Sequence, residues 1–135
     1  DSGLETAQAT GRAIGGIAEA LAELTPDIVL VLGDRFEILA AGLAARFLNI
    51  PLGHVHGGEL TQAAIDDSLR HALTKMAALH FVAAEPYAAR VRQMGEDPAS
   101  VFVVGAPGLD HLTALNCISR AALANELSID LSKRL

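Results

Sequence analysis

The sequence lacks tryptophan, has only 4% aromatic residues and contains a single cysteine, Cys117. One cysteine excludes an internal disulfide and favours a reduced, cytoplasmic location. The 10 basic residues are outnumbered by 16 acidic ones and form no basic stripe, which disfavours a protein that wraps nucleic acid. No apolar run approaches membrane-spanning length and no segment resembles a signal peptide, so we expect no membrane partner.

Apolar residues are abundant and make up 51% of the 135 positions. That share is enough for a buried core and argues against disorder, and the length fits one domain. Alanine and leucine dominate, which favours helices. The chain starts at Asp1 without an initiator methionine and stops at Leu135 without a terminal turn, so we expect it to be a segment of a longer protein.

Short apolar runs alternate with longer stretches in which apolar residues recur three and four positions apart. The first pattern is typical of buried strands and the second of helices. This alternation predicts an α/β fold with a parallel sheet covered by helices on both faces. After the fourth strand we expect one or two short helices, the last of them capped by Ser119. The predicted strands span 28–32, 52–56, 79–83 and 101–104, and the predicted helices span 4–24, 36–48, 64–78 and 86–94.

Unusual polar residues cluster where the predicted strands end. They occupy positions 33–37 after the first strand, 54–59 at the end of the second and 105–110 after the fourth. The loops that lead into the strands carry ordinary turn residues instead. Because ligands bind beyond the carboxyl ends of strands in an open parallel sheet, this one-sided placement predicts a ligand site at that edge.

Asp34 follows an apolar strand and a glycine, which allows two interpretations. It either caps the next helix or serves as a functional carboxylate. The neighbouring Arg35 can pair with Glu37 or contact a phosphate, and the pattern alone does not choose.

His54 and His56 alternate and would point the same way if both lay in a strand. They form a polar pair at a sheet edge, a metal site with Glu59 as third ligand, or a sugar or phosphate contact. Gly57 and Gly58 suit a close approach of the backbone to a ligand. We favour the sugar or phosphate contact over the metal.

The predicted third helix begins with two acids, each four residues before a basic partner. Asp66 can pair with Arg70, and Asp67 can pair with His71. Spacing alone favours a solvated helix start, in which acids lie favourably against the helix dipole. The same geometry also suits an acid or base held by an arginine beside a cleft. Cys117, in an apolar stretch, is interpreted as a buried structural thiol.

Taken in order, these segments resemble the hydrolysing UDP-N-acetylglucosamine 2-epimerases. The likeness runs from about residue 10 to about residue 115. Each motif is weak by itself, but five in register are specific. The matching segments are 26–37, 54–59, 66–75, 80–82 and 105–110.

The resemblance implies a glycosyltransferase-B architecture with two Rossmann-like lobes and no cofactor or metal. Residues 1–115 would form most of the C-terminal part of the first lobe, and 116–135 a helical connection toward the second. In the family that second lobe binds most of the UDP. The isolated chain is therefore expected to be inactive and to bind UDP weakly, and the full-length protein to be a cytoplasmic homo-oligomer.

The family reaction, as the resemblance implies it, eliminates UDP across C1–C2 of the sugar to give a 2-acetamidoglucal. Water then adds and releases the free 2-epimer, such as N-acetylmannosamine. The His-x-His-Gly-Gly-Glu form resembles the branch that makes nonulosonic (sialic-acid-like) precursors, which uses UDP-N-acetylglucosamine or a UDP-2,4-diacetamido sugar. His56 stands where several relatives carry glutamate, so the acid/base role falls to His56 or to Glu59. By resemblance to the family's motifs, the expected catalytic residues are Asp34, His56, Glu59 and Asp66. The expected substrate-binding residues are Arg35, Gly57, Gly58, Arg70 and His71.

Two alternatives remain open. A non-hydrolysing epimerase returns the UDP-sugar, but that group typically reads Gly-Asp-Thr and His-Val-Glu-Ala-Gly, unlike residues 33–35 and 54–58 here. A non-catalytic module that only holds a nucleotide sugar is the second alternative. The catalytic interpretation requires the four candidate catalytic side chains to lie at one rim of the sheet.

Overall fold

The computed structural model describes residues 2–61, 65–114 and 118–130. The predicted alternation of strands and helices is confirmed, with ends that shift by one or two residues. Ser119 caps the last helix by accepting a hydrogen bond from the Ala122 amide at 3.2 Å, as expected. The prediction for Cys117 lies outside the described residues. The elements are α1 (Gly3–Leu24), β1 (Val29–Leu32), α2 (Phe36–Phe47), β2 (Leu52–Val55), α3 (Ile65–Met76), β3 (Leu79–Val82), α4 (Glu85–Gln93), β4 (Val101–Val103) and α5 (Arg120–Leu127), with short 3₁₀ helices at Pro98–Ser100 and Pro107–Ala114.

The four strands form one parallel sheet in the order β1-β2-β3-β4. His54 pairs in register with Val31 on one side and His80 on the other, and His80 pairs with Val101. Residues that share such a row point to the same face of the sheet. Parallel pairing also brings the carboxyl ends of all four strands to one edge, where the sequence predicted the ligand site.

One face of the sheet carries the helical layer. Val31 and Leu52 pack with Ala45 of α2 and Leu73 of α3 in one buried cluster. In a second buried cluster, the strand residues Val82 and Val101 pack against Ala88 and Val91 of α4. Since strands that are neighbours both in sequence and in space have right-handed crossovers, the connecting helices fall on the same side.

The opposite face of the sheet is apolar and largely exposed in the described residues. Leu30 and Leu32 of β1 are 63% and 56% exposed, and Phe102 of β4 stacks on Phe81 at 5.7 Å between ring centroids. The α/β class with a parallel sheet is confirmed. The helical cover predicted for both faces is found over one face of the part described, because the strand order never reverses.

Among the described residues, no helix combines the length and apolar character needed to cross a bilayer.

Glu96 lies in the loop that leads into β4, where the sequence predicted only ordinary turn residues, yet it makes tertiary contacts. Its mostly buried carboxylate forms an ion pair with Lys75, and its Oε2 lies 3.4 Å from Nε2 of His80. His80 is fully buried, and neither ring nitrogen is hydrogen-bonded within the described part of the chain. Burial lowers the pKa of His80, while the charge of Glu96 acts in the opposite direction.

We predict that acidification destabilises the fold through its two buried histidines, His54 and His80. Burial is the main cause that holds the pKa of both below the ordinary value of 6.5. The unfolded chain therefore takes up protons first, so the free energy of unfolding falls as the pH drops below 6.5. Each histidine contributes a slope of at most about 1.4 kcal/mol per pH unit.

Urea unfolding between about pH 7.5 and about pH 5.5 measures this slope. The His80→Asn variant should show a shallower dependence than the parent, whatever its absolute stability. An equal slope in the two proteins would contradict the assignment to His80.

Candidate active site

An ion pair between Asp34 and Arg70 joins the loop after β1 to helix α3. The side chain of Arg70 is only 6% exposed, and that of Asp34 is 22% exposed. Helix α2 takes Arg35 as its N-cap and has no side-chain cap bond, so the interpretation of Asp34 as a helix cap is wrong. Asp34 is instead a carboxylate held by an arginine at the carboxyl edge of the sheet.

Arg70 contacts three groups at once. Besides Asp34, it donates through Nη2 to Oγ1 of Thr61 at 2.8 Å, and its Nη1 lies 3.4 Å from Oδ1 of Asp67. The Thr61 amide donates to the same Asp67 oxygen at 3.0 Å. Two carboxylates thus share one cation, and a hydroxyl takes a further N–H of the guanidinium.

The expected pairing of Asp66 with Arg70 is wrong, because Asp67 takes that place. Asp67 also lies 3.6 Å from Nε2 of His71, which agrees with the second expected pair. Asp66 is partly exposed in the first turn of α3 and has no hydrogen bond or ion pair with any described residue. No described residue therefore occupies its carboxylate.

His56 and Glu59 form a second pair, 2.6 Å apart between Nδ1 and Oε1. Strand β2 ends at Val55, and His56 has a left-handed backbone with φ of 66°. The expectation that His54 and His56 point the same way fails, because the chain turns between them. A carboxylate can only accept, so Nδ1 of His56 donates, and the tautomer that donates there has its lone pair on Nε2.

Packing accounts for both glycines of the loop that follows His56. A Cβ on Gly58, whose φ is 78°, would lie 2.4 Å from the Tyr87 carbonyl oxygen. Arg90 also donates to the Gly58 carbonyl, which fastens the loop to α4. A Cβ on Gly57 would lie 3.1 Å from both His54 Nδ1 and Thr74 Oγ1. Their assignment as substrate-binding residues stays a prediction.

Arg35 and His71 lie at the margin of this group. Arg35 is largely exposed and lies 3.4 Å from Glu37, as one of its two interpretations proposed. His71 has a buried Nδ1 without a hydrogen-bond partner in the described part of the chain. Their substrate-binding roles likewise stay predictions.

His54 lies beneath the site, and the sugar or phosphate contact expected of it is wrong because its ring is buried. It is fully buried, with Nε2 2.8 Å from the Gly33 carbonyl oxygen and Nδ1 3.2 Å from Oγ1 of Thr74. Both ring nitrogens are thus occupied. The described residues also contain no group of three or more histidine, cysteine or acidic side chains arranged to hold a metal ion. The metal interpretation of His54, His56 and Glu59 therefore has no geometric support.

The candidate side chains come from adjacent elements at the carboxyl edge of the sheet. Asp34 follows β1, the pair of His56 and Glu59 follows β2, and Asp66 begins α3. The loop that carries Glu59 continues to Thr61, which Arg70 contacts together with Asp34. The structure thus connects the two pairs through one short segment.

The sequence profile of the UDP-N-acetylglucosamine 2-epimerase family matches residues 1–133. The chain belongs to the UDP-N-acetylglucosamine 2-epimerase family. Membership confirms the resemblance drawn from the motifs.

Two relatives of the chain are named as hydrolysing epimerases. The "UDP-N,N'-diacetylbacillosamine 2-epimerase (hydrolyzing)" of Legionella pneumophila is 42% identical over 96% of the chain and 34% of that protein. The Campylobacter jejuni "GDP/UDP-N,N'-diacetylbacillosamine 2-epimerase (hydrolyzing)" is 37% identical over 100% of the chain and 35% of that protein. Both relatives support the predicted hydrolysing branch.

A solved structure has the same fold as the chain over most of its length. The UDP-N-acetylglucosamine 2-epimerase of Neisseria meningitidis, bound to UDP-N-acetylglucosamine, matches with a TM-score of 0.76 at 27% identity. The match covers 80% of the chain and 30% of that structure. The chain spans about a third of the length of the relatives that it matches.

We predict that Arg70→Lys destabilises the protein more than Arg35→Lys does. Lysine cannot reproduce the planar fork that contacts Asp34, Asp67 and Thr61, so we expect a loss of about 1–3 kcal/mol. The matched control changes only the exposed pair of Arg35 and Glu37, and its effect should stay within about 0.5 kcal/mol. Urea unfolding of both variants tests the difference, and equal losses would show that the Arg70 network contributes no more than a surface pair.

Proposed function

We propose that this chain is part of a hydrolysing 2-epimerase that acts on a UDP-2-acetamido sugar. The observation that carries the proposal is the assembly of Asp34, Asp67 and Thr61 around Arg70, beside the pair of His56 and Glu59. Titratable groups gathered in this way at the carboxyl edge of a parallel sheet are typical of an active site. Family membership supports the same reaction class.

The sugar class follows from what the two kinds of relative have in common. The Legionella protein is named for UDP-N,N'-diacetylbacillosamine, and the Neisseria structure holds UDP-N-acetylglucosamine. Both molecules carry UDP and a 2-acetamido group. We therefore assign the substrate by these shared groups.

In the proposed first step, Nε2 of His56 removes the proton at C2. The electrons of that C–H bond form the C1–C2 double bond, and the bond from C1 to the UDP oxygen breaks, so that UDP leaves with its electron pair. Glu59 holds Nδ1–H at 2.6 Å and stabilises the imidazolium that forms. The contact between the two side chains thus supports His56 as the base and Glu59 as its orienting partner.

In the proposed second step, water adds across the double bond of the 2-acetamidoglucal. Asp66, in its protonated form, delivers its proton to C2 while the water oxygen bonds to C1. Asp66 then takes up a proton from solvent, and His56 returns the proton from the first step to solvent. Asp34, fixed by Arg70, accepts a hydrogen bond from that water and orients it. The second proton of the water leaves to solvent, and the product is the free 2-epimer.

The assay that tests the function uses the full-length enzyme with UDP-N-acetylglucosamine and, separately, a UDP-2,4-diacetamido sugar. We expect free UDP and the free 2-epimer from at least one of them. Retention of UDP on an epimerised sugar would instead show the non-hydrolysing reaction. Binding without turnover of either substrate would leave only a nucleotide-sugar-binding module.

We predict that Asp66→Asn lowers kcat of the full-length enzyme by about a hundredfold if Asp66 is the acid. Its stability should change by only a few tenths of a kcal/mol, because Asp66 has no partner among the described residues and loses only a helix-dipole term. Glu23→Gln, on the exposed part of α1, is the matched control and should leave kcat unchanged. Turnover of Asp66→Asn within threefold or so of the parent would remove Asp66 from the mechanism.

We also propose that the full-length enzyme works in the cytoplasm as a homo-oligomer. The single cysteine and the resemblance to the family support this assignment. Light scattering of the purified full-length protein measures the oligomeric state, and a monomer at working concentration would contradict it.

A further inference from the structure

We infer that His54 is a positioning residue for Asp34, holding both the loop that carries Asp34 and the helix that carries its partner Arg70. The inference rests on the proposed function, since the place of Asp34 matters to turnover only if Asp34 belongs to the active site. His54 itself lies beneath the rim, fully buried on the helical face of the sheet.

The two contacts of His54 lead to the two members of the ion pair. Its Nε2 lies 2.8 Å from the carbonyl oxygen of Gly33, the residue directly before Asp34. Its Nδ1 lies 3.2 Å from Oγ1 of Thr74, one turn after Arg70 in α3. Together with the pair of Asp34 and Arg70, these contacts close a ring that ties the β1 loop to α3 through β2.

The direction of each hydrogen bond follows from the donors and acceptors present. The Gly33 carbonyl can only accept, so Nε2 carries the hydrogen. Burial is the largest cause that lowers the pKa of His54, although the bond to Gly33 opposes it, so the ring is neutral near pH 7. Nδ1 is then an acceptor, and the Thr74 hydroxyl lies between two acceptors, Nδ1 of His54 at 3.2 Å and the Arg70 carbonyl oxygen at 3.1 Å.

Strand β2 therefore holds both polar groups of Gly33. The Gly33 amide donates to the Val55 carbonyl oxygen at 3.1 Å, while its carbonyl accepts from His54. Gly33 itself has a φ of 90°, a conformation that most side chains disfavour and that therefore depends on such anchors. Without the His54 contact, the peptide between Gly33 and Asp34 loses the bond that sets its orientation.

Two substitutions in the full-length enzyme separate the contacts of His54. His54→Gln can place an amide N–H near the former Nε2 and should keep kcat within about tenfold of the parent. His54→Asn reaches only as far as Nδ1 and should lower kcat by about 10–100-fold, with a smaller change in KM. Recovery by glutamine but not by asparagine supports the contact to Gly33, and equal losses in the two variants would overturn it.

The decisive readout is a double-mutant cycle with Asp34→Asn. If His54 acts through Asp34, His54→Asn should cost less than about threefold further in that background. His80→Asn is the matched control, because His80 is the other fully buried histidine on the same face, one strand away. Its effect should be the same in both backgrounds. If His54→Asn lowers kcat in the Asp34→Asn background by as much as it does in the parent, its role is merely structural and the proposal is overturned.

A measurement on the unaltered enzyme does not depend on any variant folding. Histidine ¹⁵N–¹H correlation spectra should show His54 as a neutral ring protonated at Nε2, and a ring protonated at Nδ1 would overturn the inference. Activity of the unaltered enzyme distinguishes a failure of the proposed function from a failure of the role given to His54. Absence of UDP release from the parent refutes the function, whereas an active parent with an additive cycle refutes only the role of His54.

Discussion

The candidate site depends on one buried cation, the guanidinium of Arg70. Taking a charged side chain out of water costs several kcal/mol unless acceptors surround it. Here Asp34, Asp67 and Thr61 supply those acceptors, and they come from three separate segments of the chain. The network can form only after β1, β2 and α3 have taken their places, so the fold and the site are stabilised together. Two carboxylates against one guanidinium also leave this group of side chains with a net negative charge.

The elements of the fold were predictable because each one has a local cause. Runs such as 28–32 have the β-branched, apolar character of a buried strand, and the helices show the spacing of one apolar face. The single helical layer was not predictable, because the side on which a crossover helix falls depends on strand order. Leu30 and Leu32 are as apolar as Val29 and Val31, yet only the latter two face the helices. A continuous apolar run does not mark that difference.

The sequence predicted which polar side chains lie near the carboxyl edge of the sheet, but it did not predict how they pair. Asp34, His56 and Glu59 were candidates because polar residues beside glycines at the carboxyl ends of strands are typical of a ligand site. The partner of Arg70 was wrong because a helix brings both the third and the fourth preceding residue within reach. The Thr61 amide bonds to Asp67, and that tertiary contact decides between the two acids. The sequence named His54 as a candidate contact but did not show that it is buried, because strict alternation assumed a strand that continues through His56.

Two histidines, His54 and His80, interrupt the helical face at neighbouring positions where an apolar side chain would pack without a desolvation cost. Their surroundings differ in a way that separates their roles. His54 has a partner on each ring nitrogen and lies toward the edge that carries Asp34, whereas His80 has only the nearby charge of Glu96 at the opposite edge. Full satisfaction of a buried polar group restricts it to one orientation. An imidazole restricted in this way can hold a backbone carbonyl in place, which an aliphatic side chain of equal volume cannot do. The contact with the Gly33 carbonyl therefore explains why a polar residue occupies position 54, which packing alone does not explain.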